Sequence, residues 1–337
     1  MGFKTFDAED FVISTDSITS TLWSNNSPEL TTFFTSSTQE ASSAGNYYLS
    51  VFNTSSADQK VQFDIAYADA LGSGSTLYNS AVAENSFTKT IYGQYRSMIL
   101  EDENATFTFG DGDNTFTSDN FWVISIDRAR YKQSLFPGSL NLKISGSGGH
   151  GLIQLTDNSV DTTVNKFIGT SKVYQLVSGS NGTAVSLANS GYVLDSGSYG
   201  LVFPDLGTII LNPAAISQSI HLAPSRSNNT EGLNNRGLFS AIEAGLSFTL
   251  NSQENITSDF VFVRARNSEF NYSENPSFIS GSNGEVVHDS FINQPQVYVT
   301  TVGMYNNSND LLAVAKLSRP LLKDFTKEAL IRVKLDF

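Results

Sequence analysis

The sequence predicts a mainly β protein: two or three β-sandwich-like or antiparallel-sheet domains with a few short helices. Three observations carry this. Short runs in which apolar and polar residues alternate recur along the chain. Gly, Ser, Thr and Asn are abundant between those runs and supply turns. The 337 residues exceed what a single core usually serves. Hydrophobic residues make up 39% of the chain, enough to fold, and 24 Phe with 13 Tyr predict aromatic-rich cores.

In the first ninety residues, "NYYLSVFN", "KVQFDIAYA" and "STLYNSAVA" read as strands separated by polar turns. "TKTIYGQYRSMILED" differs, because Ile91, Tyr95, Met98 and Ile99 lie at helical spacing. "FWVISIDRARY" returns to alternation, with the face of Trp122, Ile124 and Ile126 more apolar than that of Phe121, Val123, Ser125 and Asp127. "FPGSLNLKISGSGGHGLIQLTD" reads strand, Gly/Ser loop, strand, and "SKVYQLVSGSNGTAVSL" turns tightly at Asn181-Gly182. "YGLVFPDLGTIILN" continues the pattern; "PSRSNNTEGLNNRG" (224–237) is the most linker-like stretch, and "LFSAIEAGLSF" is a second helix. "FVFVRARNSEFNYS" passes from strand to a turn at Asn275-Pro276, and "ISGSNGEVV" holds another Asn-Gly turn. The expected domains are 1–145, 146–225 and 236–337.

The closing stretch is the clearest. Val297 to Met304 and Leu311 to Leu317 form a hairpin across the turn residues Asn306 to Asp310, and Arg319-Pro320 is expected to stop the second strand. A last strand places Ile331, Val333, Leu335 and Phe337 on one face and Arg332, Lys334 and Asp336 on the other. Residues 297–337 are expected to form one antiparallel sheet, with the terminus docked.

Charge and motifs narrow the chemistry. There is no cysteine, so disulfides and thiolate sites are out, and a net charge of −13 argues against nucleic acid as a partner. From Lys316 onward six basic side chains meet three acidic ones, giving +3 and leaving −16 for the rest. Lys316, Arg319, Lys323, Arg332 and Lys334 are therefore interface candidates, able to meet an acidic neighbour or another copy. Gly146-x-Gly148-x-x-Gly151 matches a dinucleotide fingerprint in form, but a strand pattern follows it where a helix is needed, so a hairpin loop is expected. Asp111, Asp113 and Asp119 cluster without an EF-hand spacing, and His150, His221 and His288 stand far apart. No nucleophile elbow or phosphate loop is present, nothing singles out a carboxylate pair, and no stretch approaches the ~20 apolar residues of a membrane span. The expectation is no catalytic residues, no cofactor, no metal, no membrane and no small-molecule substrate. "MGFKTFDAEDF" lacks the pattern of a signal peptide.

Residues 260–337, from "FVFVRARN" to "IRVKLDF", resemble the C-terminal region of virion structural proteins of T-even-like contractile-tailed phages that infect cyanobacteria and other marine bacteria. "IYGQYRSMIL", "DNFWVISIDRARYKQSLFPGSLNLKISGSGG" and "YGLVFPDLGTIIL" are similar to segments of such proteins, in which an Arg-Ala-Arg run precedes a Pro-Gly turn. "VGMYNNSNDLLAVAKL" resembles baseplate-side and fibre-attachment modules. The resemblance implies a non-enzymatic virion part of a tail, baseplate or neck, assembled in the host cytoplasm with other virion proteins and copies of itself. It carries over no catalytic residues. The alternative is a capsid-surface or fibre-associated protein that binds host glycans, whose signature would be exposed aromatics such as Trp23 or Trp122.

Overall fold

A computed structural model describes residues 4–40, 42–75, 86–161, 166–185, 191–227, 232–281 and 283–336. The fold is mainly β, with large antiparallel sheets and five short helices. The chain divides into two compact units, residues 18–254 and residues 1–17 with 255–337.

The larger unit is built on one long antiparallel sheet. Its strands are β2 (Glu29–Leu30), β3 (Leu49–Phe52), β4 (Val61–Asp69), β7 (Asn120–Ile126), β9 (Asn141–Ser145), β10 (Leu152–Asp157), β12 (Ser171–Ser180), β14 (Gly200–Phe203), β15 (Thr208–Leu211) and β16 (Phe248–Thr249). They lie in the order β2-β16-β9-β10-β12-β14-β15-β7-β4-β3, with β11 (Lys166–Ile168) and β13 (Thr183–Ala184) paired to β12. A separate hairpin joins β5 (Phe107–Asp111) and β6 (Asn114–Ser118). The helices are α1 (Ser37–Glu40), α2 (Phe87–Ile99), α3 (Pro213–Ile220) and α4 (Leu233–Gly245).

Strand alternation sorts the core into two layers. On one face Phe63, Ile65, Trp122, Ile124, Ile209 and Leu211 pack with Ala215 and Ile216 of α3 and Leu238 and Ile242 of α4. On the other, Ala66, Ala68, Phe121, Val123, Leu201 and Ile210 pack with Ile91, Tyr92 and Ile99 of α2 and Phe107 and Phe109 of β5. Both faces of β7 are therefore covered, where alternation alone predicted one drier face. Two-sided cover explains why β14 and β15 read as unbroken apolar runs. Gly245 ends α4 against the Lys143 carbonyl of β9, so close that a Cβ there would collide with it; the helix lies flat on the sheet for that reason.

Several expectations hold. Helix α2 forms where the spacing placed it, although Met98 faces water and Tyr92 takes its place in the core. Asn181 (φ 51°) and Gly182 (φ 77°) make the tight turn between β12 and β13, which needs two positive φ values. The Gly146–Gly151 stretch is a hairpin loop closed by Gly146 N–H donating to Gly151 O at 2.7 Å. Helix α3 was not foreseen, yet Asn212 accepts from the Ala214 amide and Pro213 opens the first turn, a start signal present in "NPAAISQSI". The expected strand "STLYNSAVA" lies outside the described residues apart from Ser75.

Others are corrected. The boundary expected at 145/146 falls inside the β9–β10 hairpin, whose hydrogen bonds tie 142–145 to 152–155 in one sheet. The linker-like stretch 224–237 belongs to the larger unit. Arg226 pairs there with the buried Asp69 at 2.9 Å, and Asn234 and Asn235 are buried at the start of α4.

The smaller unit draws on both ends of the chain. Strand β1 (Phe11–Thr21), β17 (Asn251–Ala265) and β22 (Ala329–Asp336) form a sheet in the order β1-β17-β22, with β8 (Ser134–Leu135) on β17. β18 (Ile279–Ser280) pairs with β19 (Glu285–Val286), and a short helix α5 (Ser290–Asn293) follows. β20 (Val297–Tyr305) and β21 (Leu311–Lys323) make the closing hairpin; the Asn306 side chain accepts from the Ser308 and Asp310 amides, and Asn309 is left-handed. Pro320 does not end β21. The register slips so that Val299 faces Leu321 and Thr301 faces Lys316, which leaves 317–320 in a bulge where Pro owes no ladder bond.

Residues 297–336 are not one sheet, because β22 pairs with β17, Val333 opposite Val261. The predicted inward face of β22 holds: Val333 is buried and Ile331 and Leu335 pack beside it against Met304, Ala313, Ala315, Val261 and Phe6. Phe337 lies outside the described residues.

Candidate interaction surface

The five basic candidates occupy three different settings. Lys316 and Arg319 stand on the exposed side of β21 and its bulge, with no ion pair among the described residues. Arg332 and Lys334 lie on the outward face of β22 and flank the ring of Phe260, at 5.4 and 6.0 Å from its centroid. Lys334 also pairs with Asp336 at 2.9 Å, and the Ser258 hydroxyl together with that ammonium lowers the Asp336 carboxyl pKa.

Lys323 is not an interface residue. It is fully buried, and its ammonium donates to Asn267 O at 3.0 Å, Asn271 Oδ1 at 2.8 Å and Asp324 O at 3.1 Å. Three neutral oxygens match its three N–H donors, so the charge is solvated by protein instead of water. The chain 266–271 is thereby tied to the end of β21. Nothing in "SRPLLK" signals this, because two of the three partners, Asn267 and Asn271, lie more than fifty residues upstream.

The smaller unit also exposes apolar side chains in ordered strands. Along β1, Phe11, Val12 and Ile13 are about half-exposed or more, and the strand has no Lys, Arg, Pro or Gly to guard its edge. On the hairpin, Tyr298, Tyr305, Leu312 and Val314 point away from the Met304 side.

The larger unit gathers its titratable groups internally. Asp69 is buried at the end of β4; Arg226 bridges it to Asp119, and the Leu71 and Ser73 amides donate to it. Burial raises the Asp69 pKa and Arg226 opposes the rise; burial and the Asp69 charge hold the Tyr67 hydroxyl well above its ordinary value. This cluster fastens 71–73 and 225–226 to the sheet end. Asp111 accepts from the Tyr192 hydroxyl at 3.0 Å, so the acidic turn is divided between two partners. No group of three His, Asp or Glu able to hold a metal occurs among the described residues. His150 and His221, distant in sequence, stack with ring centroids 3.9 Å apart on the surface. An open depression among the described residues is lined by the polar side chains of Ser24, Asn53, Asp58 and Lys60. Trp23 and Trp122 are both 1% exposed, so neither offers a platform to a sugar.

Asp64 gives a pH-dependent expectation. Its Oδ1 is buried without a hydrogen-bond partner among the described residues, and burial raises its pKa against the Ser50 hydroxyl. The folded chain thus holds this proton more tightly than the unfolded chain. The stability it contributes is complete below the ordinary carboxylate value of 3.8 and is lost as pH rises through the higher folded value. Asp64→Asn should therefore raise the melting temperature at pH 7, by about 2–4 °C for each kcal/mol gained. Thermal unfolding of both proteins should show the gap closing as the pH falls towards the ordinary carboxylate value; an equal gap at both pH values would contradict the assignment.

Comparison with known proteins finds no match: no family model, curated protein sequence or solved structure is similar to this chain. No helix among the described residues is long and apolar enough to cross a membrane.

Proposed function

We propose that the chain is a non-enzymatic structural component of a virion, built into the tail, baseplate or neck of a contractile-tailed phage. One observation carries the proposal. Among the described residues the smaller unit presents ordered strands, β1 and the β20–β21 hairpin, that leave apolar side chains such as Ile13, Tyr298, Leu312 and Val314 more than half exposed. Its own core is small, centred on Val261, Met304 and Val333. Such a module is completed by neighbours, and open strand edges are ready templates for them. The resemblance of residues 260–337 to phage virion proteins points the same way, and those residues supply most of this unit. The partners are other virion proteins and further copies of the chain. The glycan-binding alternative is left without its two nominated aromatics.

Purified particles of the phage that encodes the chain test this. Denaturing electrophoresis with mass spectrometry should find the chain at a fixed ratio to the other virion proteins. Complete, infectious particles free of it would refute the reading.

A further inference from the structure

The closing hairpin is apolar on both sides. Val297 and Met304 are buried on the inner side, where Ala313 and Ala315 pack against β22 and β17. On the outer side Tyr298 is 67% exposed, Tyr305 41%, Leu312 69% and Val314 57%. An antiparallel hairpin that meets water on one side ordinarily carries polar residues there. Apolar residues on both faces are the pattern of strands covered on both faces. The outer row continues into Lys316, and Arg319 stands in the adjoining bulge.

We infer that this outer face is a self-association surface, covered by a second copy of the chain. Charge selects the occupant. Two exposed cations without ion pairs among the described residues, beside apolar side chains, call for a counter-surface that is apolar and acidic, and the chain outside residues 316–337 carries −16. A polyanion such as nucleic acid would meet the repulsion of a chain at −13. Leu311, Thr300 and Thr301 are also exposed and widen the face. The surplus is local, since among the described residues fourteen of the twenty-five large apolar side chains that stand exposed belong to the smaller unit, the shorter part of the chain. This inference deepens the partner "copies of itself" in the proposed function without needing the virion.

Sedimentation velocity of the full chain from roughly 1 to 100 µM is the test, since this range covers micromolar association. The unmodified chain should self-associate, and Leu312→Glu or Val314→Glu should raise the concentration of half-dissociation at least about tenfold with melting unchanged. Lys316→Glu with Arg319→Glu should weaken association too and remove most of its salt dependence. A chain that stays monomeric throughout, or an oligomer indifferent to these changes, overturns the inference. Should the Leu312 or Val314 variants melt early, the Lys316/Arg319 pair decides, because both side chains are solvated. A monomer in solution would leave the virion reading standing, and absence from particles would leave this one standing.

Discussion

Trp122→Ala is expected to cost the larger unit about 3–5 kcal/mol, the range for truncating a large aromatic in a packed core. Trp122 is 1% exposed on β7, an interior strand of the long sheet between β15 and β4. Its ring lies 6.1 Å from that of Tyr67, and its Nε1 donates to Asn234 O at 3.1 Å, which anchors the start of α4. Truncation opens a cavity and removes the indole's tie to α4 in one step. The loss corresponds to a fall in melting temperature of roughly 6–20 °C for a unit of this size. Calorimetry checks this, and a fall under about 2 °C would mean that the helix–sheet layer is not packed as described.

Lys323→Ala is expected to have the second large effect, confined to the smaller unit. It removes the buried ammonium that donates to Asn267 O, Asn271 Oδ1 and Asp324 O; Asn267 O keeps the Asn271 side-chain amide and Asp324 O the Lys327 amide, so Asn271 Oδ1 is the acceptor left bare. One orphaned buried acceptor and the loss of the ammonium's other two bonds cost about 1–3 kcal/mol in total. A domain's net stability is only about 5–15 kcal/mol, and this one has a small core. Hydrogen exchange read by segment should show faster opening of 266–271 and 311–323, with the amides of β7 unchanged. Exchange that stays the same in both segments would contradict the role assigned to Lys323.

What the sequence made legible was local. Asn181-Gly182 and Asn306–Asp310 announced their turns because only certain residues tolerate the backbone those turns need. Helix α2 and the alternating faces of β22 followed from periodicity, and the basic run was visible as charge. What failed was long-range. The sheet places β16 beside β9 and β2, over a hundred residues apart, and the first seventeen residues join the last eighty-three; no local pattern encodes either. Lys323 read as a surface cation because burial of a charge depends on acceptors brought from elsewhere. The β9–β10 loop read as a domain boundary because a Gly/Ser-rich hairpin loop and a Gly/Ser-rich linker have the same composition. Only α3 was overlooked despite a local signal, the Asn212-Pro213 start.

The central claim is that the exposed apolar strands of the smaller unit are covered in the assembled state. Hydrogen exchange of the chain inside intact particles, compared with the free chain, tests this most directly. The account predicts strong added protection of amides in 11–21 and 297–323 in the particle, while the already buried strands β7, β14 and β15 change little. Equal exchange of 11–21 and 297–323 in both states would contradict it.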